Sequence, residues 1–239
     1  MFLILLPKKV LINNLKNIFI LFKQHLPYFL LIMTMVGIHL IEVNILDPIT
    51  TEFVGTDFAH NIYAFEGDIV PNFSQLWTPV ALYFFVIIYM VIHGFTLYFL
   101  PFFFIVANEK KAMKHLAYGF FIVYAVAIPF YLFLPITNVY IFRNIDSGLE
   151  MVLPGIERYF YSTTTQNNTF PSLHVAMTIL LTWCVYQTNN KKLQYFMTFV
   201  MVSVIFSVIY LAIHWISDVI SGAILGLMII FILHRYIKE

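Results

Sequence analysis

The chain has 239 residues, a formal net charge of +1, 61% hydrophobic residues and only 10% charged residues. A soluble domain carries about 25% charged residues, so a soluble globular fold is excluded, and the near-neutral charge gives no case for nucleic acid as a partner. With a mean hydropathy of +0.86, the chain reads as an integral membrane protein.

A helical span needs about 20 apolar residues. The runs here are nearly continuous, as at 80–106, and do not alternate as the strands of a membrane barrel do. Helices also satisfy every backbone group inside lipid. The predicted fold class is therefore all-α, a polytopic membrane protein built as a six-transmembrane-helix bundle. Residues 1–26 are expected to form an N-terminal amphipathic segment on the inner leaflet, with lysines set among Leu and Ile. The apolar start, Met1 to Leu6, is too short for a signal-peptide core, and no small-residue cleavage site follows, so the chain is expected to be unprocessed. Residues 27–239 are expected to form one membrane domain, with spans at about 27–46, 77–106, 116–136, 171–187, 194–212 and 216–234.

Charge orients these spans. Lys8, Lys9, Lys16 and Lys23 precede the first. Lys110, Lys111 and Lys114 follow the second, Lys191 and Lys192 the fourth, and Arg235 and Lys238 the last. Eleven of the 13 Lys and Arg residues thus fall on one side, leaving Arg143 and Arg158 on the other. Cytoplasmic segments retain positive charge, so both termini are placed in the cytoplasm. The two larger loops, 47–76 and 137–170, then face outwards. The polar stretch 162–169 is expected to form a hydrogen-bonded rim rather than a flexible linker, because it leads directly into Pro171. Asn72-Phe73-Ser74 and Asn167-Asn168-Thr169 match the N-x-[ST] pattern, which matters only in a secretory pathway that glycosylates. The single cysteine, Cys184, lies in an apolar segment and reads as a small core residue.

Two polar islands at the edges of apolar runs carry the chemistry: Phe170-Pro171-Ser172-Leu173-His174 and His214-Trp215-Ile216-Ser217-Asp218. Proline suits a first helical turn, and Thr169 is the expected N-cap. Ser172 and His174 would then lie in the first turn of span four, where free N–H groups and the helix dipole favour an anion such as phosphate. The plain alternative is a helix start punctuated by Ser and Pro, against which His174 counts. His214 and Asp218 are four apart, hence on one helical face. Asp218 can hold one imidazole nitrogen of His214 and leave the other free as a nucleophile. The plain alternative is a buried polar pair locking span five to span six. Span four starts at the outer side and span five ends there, so His174 and His214 are expected at similar depth. Phosphate also needs a cation, and the outer side offers only Arg143 and Arg158. Guanidinium matches phosphate in a bidentate fork, and Arg143, at the end of span three, is the preferred ligand. His39 with Glu42 reads as an interhelical polar contact, and His93 as a satisfied core histidine. Tyr131, Tyr140 and Tyr210 are candidates for hydrogen bonds at the rim.

These residues resemble the type 2 phosphatidic acid phosphatase superfamily, and especially its inositol phosphorylceramide synthase-like branch. Phe170-Pro171-Ser172-Leu173-His174 is similar to the family's second motif in the Pro-Ser-Leu-His form of that branch. The run 207–214, followed by Asp218, is similar to the third motif. The resemblance covers about 116–234, the catalytic half. Ser207-Val208 stands where phosphatase members have Ser-Arg, and the first motif, a lysine followed later by Arg-Pro, is absent. The resemblance implies a membrane lipid phosphatase or phosphotransferase in which His214 attacks phosphorus to form a phosphohistidine. Asp218 would orient His214, and His174 would protonate the leaving alcohol and then activate water or a lipid alcohol. Ser172, with Arg143 or Arg158 in compensation, would bind phosphate. It implies no cofactor and no metal, and no His-Glu-x-x-His or carboxylate cluster calls for one. The expected partners are a lipid phosphate (phospholipid or polyprenyl), a lipid alcohol or water as acceptor, and the bilayer. The active site is expected on the extracytoplasmic side. Competing readings are a transporter, against which the clustering at one face counts, and a non-catalytic lipid-binding scaffold.

Overall fold

The computed structural model describes residues 5–237. The expected apolar start (1–6) therefore lies largely outside the described residues, as does Lys238. The described chain is helical, with one isolated bridge between Ile136 and Asn168 as its only β pairing.

A short helix α1 (Lys8–Lys16) leads to α2 (Ile18–Ile41), which continues through a π-helical turn (Glu42–Leu46) into α3 (Asp47–Val54). The first apolar helix thus runs from Ile18 to Val54, well beyond the expected 27–46 at both ends. Asn17 breaks the helix between α1 and α2, and no breaker stands at residue 26. Two short helices, α4 (Ala59–Glu66) and α5 (Ile69–Ser74), follow. The second long helix comprises α6 (Pro79–Val86), a π-helical stretch (Ile87–His93) and α7 (Gly94–Ala107). Thr78 caps its start by accepting the Ala81 N–H, with Pro79 at the first position. Helix α8 (Lys110–Phe133) is the third. Three short helices, α9 (Val139–Phe142), α10 (Gly148–Val152) and α11 (Ile156–Phe160), fill the next loop before α12 (Leu173–Tyr186), α13 (Lys191–Tyr210) and α14 (Ile216–Tyr236).

Five of the described helices are long and apolar enough to cross a membrane, and α12 is apolar but shorter. Its 14 residues give about 21 Å at 1.5 Å per residue, less than a hydrocarbon core of about 30 Å. The expected span at 171–187 is therefore short by about a turn and a half. Burial explains why this is tolerated: α12 packs against α8, α13 and α14. Val175, Ala176, Leu180, Leu181, Cys184 and Val185 are all fully buried, so its neighbours, not lipid, cover it.

The loops gather at two ends. At one, His115 Nε2 meets the Ile237 carbonyl (3.1 Å), Asn14 Nδ2 donates to Val106 O (2.9 Å) and Asn190 Nδ2 donates to Leu5 O (2.7 Å). Lys110, Lys111, Lys114, Lys191 and Lys192 belong to this end. At the other end, Phe58 N donates to Pro135 O (2.9 Å) and Trp77 Nε1 to Tyr210 O (2.7 Å). This second end holds Arg143, Arg158 and the two polar motifs.

Candidate active site

The 162–169 stretch is tied down at several points. Asn167 O and Gln166 O accept the N–H groups of Ile136 (2.7 Å) and Asn138 (2.9 Å). Thr169 Oγ1 donates to Ile136 O (2.9 Å), and Asn168 Nδ2 donates to Glu42 Oε1 (2.8 Å). Glu42 is fully buried and also meets His39 Nδ1 at 3.0 Å, while His39 Nε2 faces Thr163 O at 3.1 Å. Their hydrogen bonds thus fasten the first long helix to the loop, while the His39 ring also packs on Tyr124 of α8 at 5.0 Å. The result is a fixed approach to the first motif.

Ser172, not Thr169, caps α12. Its Oγ accepts the Val175 N–H (3.5 Å), and the helix begins at Leu173. Thr169 is diverted to Ile136, and Pro171 precedes the helix, its carbonyl accepting a hydrogen bond from Tyr131 Oη (2.9 Å). His174 is then the second helical residue. The Ser172 hydroxyl is fully buried. It retains its own proton for donation while accepting from Val175.

His214 lies just before a helix, not within one. Trp215 is the N-cap of α14, which begins at Ile216. The pairing survives because Asp218, at the third helical position, reaches back. Its Oδ2 accepts the Trp215 N–H (2.9 Å) and faces His214 Nδ1 (3.3 Å). A capping carboxylate does this routinely at a helix N-terminus. Because Asp218 takes the Nδ1 side, the lone pair of a neutral His214 is on Nε2. The loop before it is unusual: Ala212 has a left-handed φ of +53°, costly for a residue with a Cβ. Its carbonyl is held by the Tyr140 N–H at 3.0 Å.

The two motifs come together. The rings of His174 and His214 are 5.9 Å apart, and Ser172 N donates to Asp218 O at 3.0 Å. His214 is 3% exposed and Asp218 0%. Two imidazoles face each other, one backed by a carboxylate, beside the N-terminus of α12.

Neither arginine touches the two histidines. Arg143 Nη2 pairs with Asp68 Oδ1 (2.9 Å), and its guanidinium lies 4.8 Å from the centre of the Tyr63 ring. Tyr63 in turn packs on Trp215 (6.3 Å), so Arg143 stands one ring removed from the His214 loop. Arg158 is exposed on α11. The Glu150 carboxylate accepts backbone N–H groups of Gly155 and Glu157 instead. Phe160, two residues on, packs on His174 (6.3 Å). Near Arg143, the Tyr140 and Tyr161 hydroxyls hydrogen-bond each other, and Asn138 Nδ2 donates to Tyr161 Oη (3.0 Å). Burial pushes the Tyr161 hydroxyl up to about 12 and raises that of Tyr140 as well, so both phenols remain neutral. Tyr210 Oη donates to Leu76 O (3.2 Å), away from the histidines.

Three contributors were not legible as such in the sequence. Tyr89 Oη lies 3.1 Å from His174 Nε2. The His93 ring is 5.6 Å from that of His174; the expectation of a satisfied core histidine fails at its buried Nδ1, which has no hydrogen-bond partner among the described residues. Glu66 binds the start of α14, its two oxygens accepting the N–H groups of Ile216 (2.9 Å) and Ser217 (2.6 Å). Val208, where phosphatase members carry arginine, is fully buried in an apolar cluster with Val175 and Val204. Its carbonyl accepts the N–H groups of Ile213 and His214.

A pair of neighbouring histidines, one backed by a carboxylate, thus sits at one end of a helical membrane bundle. The family model described as the PAP2 superfamily matches residues 68–232. The chain belongs to the PAP2 superfamily, the type 2 phosphatidic acid phosphatases and their relatives. No curated protein and no solved structure matches it.

Proposed function

We propose that the protein is a lipid phosphatase or phosphotransferase working through a phosphohistidine on His214. The observation that carries this reading is the facing of His174 and His214 at 5.9 Å, with Asp218 behind the second. His214 Nε2 attacks phosphorus. Asp218 holds the ring and balances the positive charge that forms, as the carboxylate of a catalytic triad does. His174 gives a proton to the departing alcohol oxygen and then takes one from the acceptor. The α12 N-terminus, Ser172 and the arginines Arg143 and Arg158 stabilise the phosphoryl oxygens. Exposed Arg158 is free to swing towards a bound phosphate, and Arg143 would reach it by leaving Asp68.

The substrate in this reading is a phospholipid or polyprenyl phosphate or diphosphate, and the acceptor is water or a lipid alcohol. Valine at 208 removes one phosphate-binding arginine, which supports the inositol phosphorylceramide synthase-like branch and favours transfer over hydrolysis. The excess of lysine at the opposite end supports an extracytoplasmic site and cytoplasmic termini.

The test is phosphate release by the purified protein from a panel of lipid phosphates, with chelator present, with and without lipid alcohols. Release or transfer that disappears in His214→Ala supports the reading. Turnover by His214→Ala within a few fold of wild type removes His214 as nucleophile.

A further inference from the structure

The second long helix changes its winding where it passes His174. Ile87–His93 is π-helical, a form that is rare and recurs at functional sites. Positions four apart fall on one side of a helix. Tyr89 and His93 share that side, and both face His174, with ring centres at 4.8 and 5.6 Å. Phe160 packs on the Tyr89 ring at 5.7 Å. Among the described residues, the polar partner of the Tyr89 hydroxyl is the His174 imidazole, with Nε2 at 3.1 Å and Nδ1 at 3.4 Å.

We propose that Tyr89 is a positioning residue for His174, its hydroxyl holding the imidazole aligned through both halves of the phosphoryl-transfer reaction. The proposal rests on the function proposed above. Packing alone does not call for tyrosine, since phenylalanine offers the same ring. A buried hydroxyl costs stability unless it is paired, and here its partner is the acid–base histidine.

The two histidines have chemically different partners. Asp218 only accepts, which suits a ring that becomes positively charged when phosphorylated. A hydroxyl both donates and accepts. Tyr89 can accept from the N–H of the His174 nitrogen it faces, both in the protonated ring and in the neutral tautomer left when the other nitrogen gives its proton to the alcohol. In the first half-reaction the His214 Nε2 lone pair forms the N–P bond and the P–O bond to the alcohol breaks. The alcohol oxygen keeps that electron pair and takes the His174 proton. In the second, the acceptor loses its proton to His174, its oxygen bonds to phosphorus, and the N–P pair returns to His214. The Tyr89 proton stays on Tyr89 throughout, and the His174 N–H it accepts from is kept in both halves.

The test exploits leaving-group chemistry. An alkyl phosphate releases an alkoxide that needs a proton; a nitrophenyl phosphate bearing an alkyl chain releases a phenolate that does not. Tyr89→Phe is expected to lower first-turnover release of the alcohol from the alkyl ester about 10- to 100-fold, part of the range for general acid–base catalysis. First-turnover release of nitrophenolate, which needs no proton, should stay near the wild-type rate, while breakdown of the intermediate, common to both esters, slows equally. Equal losses of first-turnover release on the two esters, or unchanged release from the alkyl ester, overturn the proposal. Should Tyr89→Phe fail to fold, Tyr89→Leu carries the same comparison. His214→Ala, run beside it, separates the two levels. If that variant keeps activity on either ester, the proposed function fails and this inference with it. If it is inactive while Tyr89→Phe behaves as wild type, only the role of Tyr89 falls.

Discussion

Ser172 donates its backbone N–H to the Asp218 carbonyl at 3.0 Å, joining the cap of α12 to the first turn of α14. The polar islands are therefore one unit of backbone, not two side-chain sets that happen to meet. The join needs close approach. A Cβ on Gly222 would sit 2.4 Å from Ser172 O and 3.0 Å from Ser172 Cβ.

Gly222→Ala should force α12 and α14 apart at the site. Overpacking of this kind costs about 1–3 kcal/mol, and a shift of about 1 Å in a reacting group can cost about 100-fold in rate. Thermal unfolding and kcat should both fall. Gly226→Ala, where the nearest atom is Ala176 O at 3.2 Å, lies one turn deeper and should lower stability less and leave turnover near wild type. Equal effects of the two would show that the 172–218 join is not what matters.

Asp218→Asn keeps an oxygen for the Trp215 N–H and so keeps the start of α14. It removes the charge behind His214. By analogy with triad enzymes, kcat should fall by two to four orders of magnitude, on the order of 10²–10⁴, with little change in unfolding temperature. A fall in stability matching the fall in rate would mark Asp218 as a structural cap only.

Glu66→Gln leaves one oxygen where two accept N–H groups from Ile216 and Ser217, and removes a negative charge from a helix N-terminus. The expected loss is about 1–2 kcal/mol, read as a lower unfolding temperature. An unchanged midpoint would contradict this capping role.

The arginines should separate in their effects. Arg158→Ala should raise KM about tenfold, the worth of one charge-assisted hydrogen bond, without altering stability, because the side chain is exposed. Arg143→Ala should raise KM and also lower the unfolding temperature, since it frees Asp68 and uncovers Tyr63. An unchanged KM in either variant removes that residue from the phosphate-binding set.

Both motifs were legible because a polar island beside an apolar run is costly unless used, and their distance along the chain matched a pair of helices ending at one face. The grouping of lysines at the opposite end was legible for the same reason. Helix registers were not. Thr169 and Ser172 are both good caps, and only the pull of Ile136 O on Thr169 decides between them. His214 looked helical by spacing, whereas the carboxylate at the third position of α14 makes the same contact from outside the helix. Glu66 meets α14 across 150 residues, and no local pattern announces such a contact. Tyr89 and His93 lie inside an apolar run, where a π-helical turn leaves no composition signal. The span expected at 171–187 is a helix of only 14 residues, a shortness that apolar length in sequence does not show because it cannot tell lipid from protein neighbours.

In the proposed reaction, phosphate passes through His214 as a covalent N–P adduct. Protein incubated with a lipid substrate labelled in its phosphate, then quenched in alkali and separated from lipid, tests it directly. A protein-bound label is expected that is stable to alkali and lost in acid, present in the wild type, enriched in His174→Ala when an activated nitrophenyl ester is the donor, and absent in His214→Ala. Label that persists in His214→Ala, or turnover in which no protein-bound phosphate can be trapped from either wild type or His174→Ala, would contradict it.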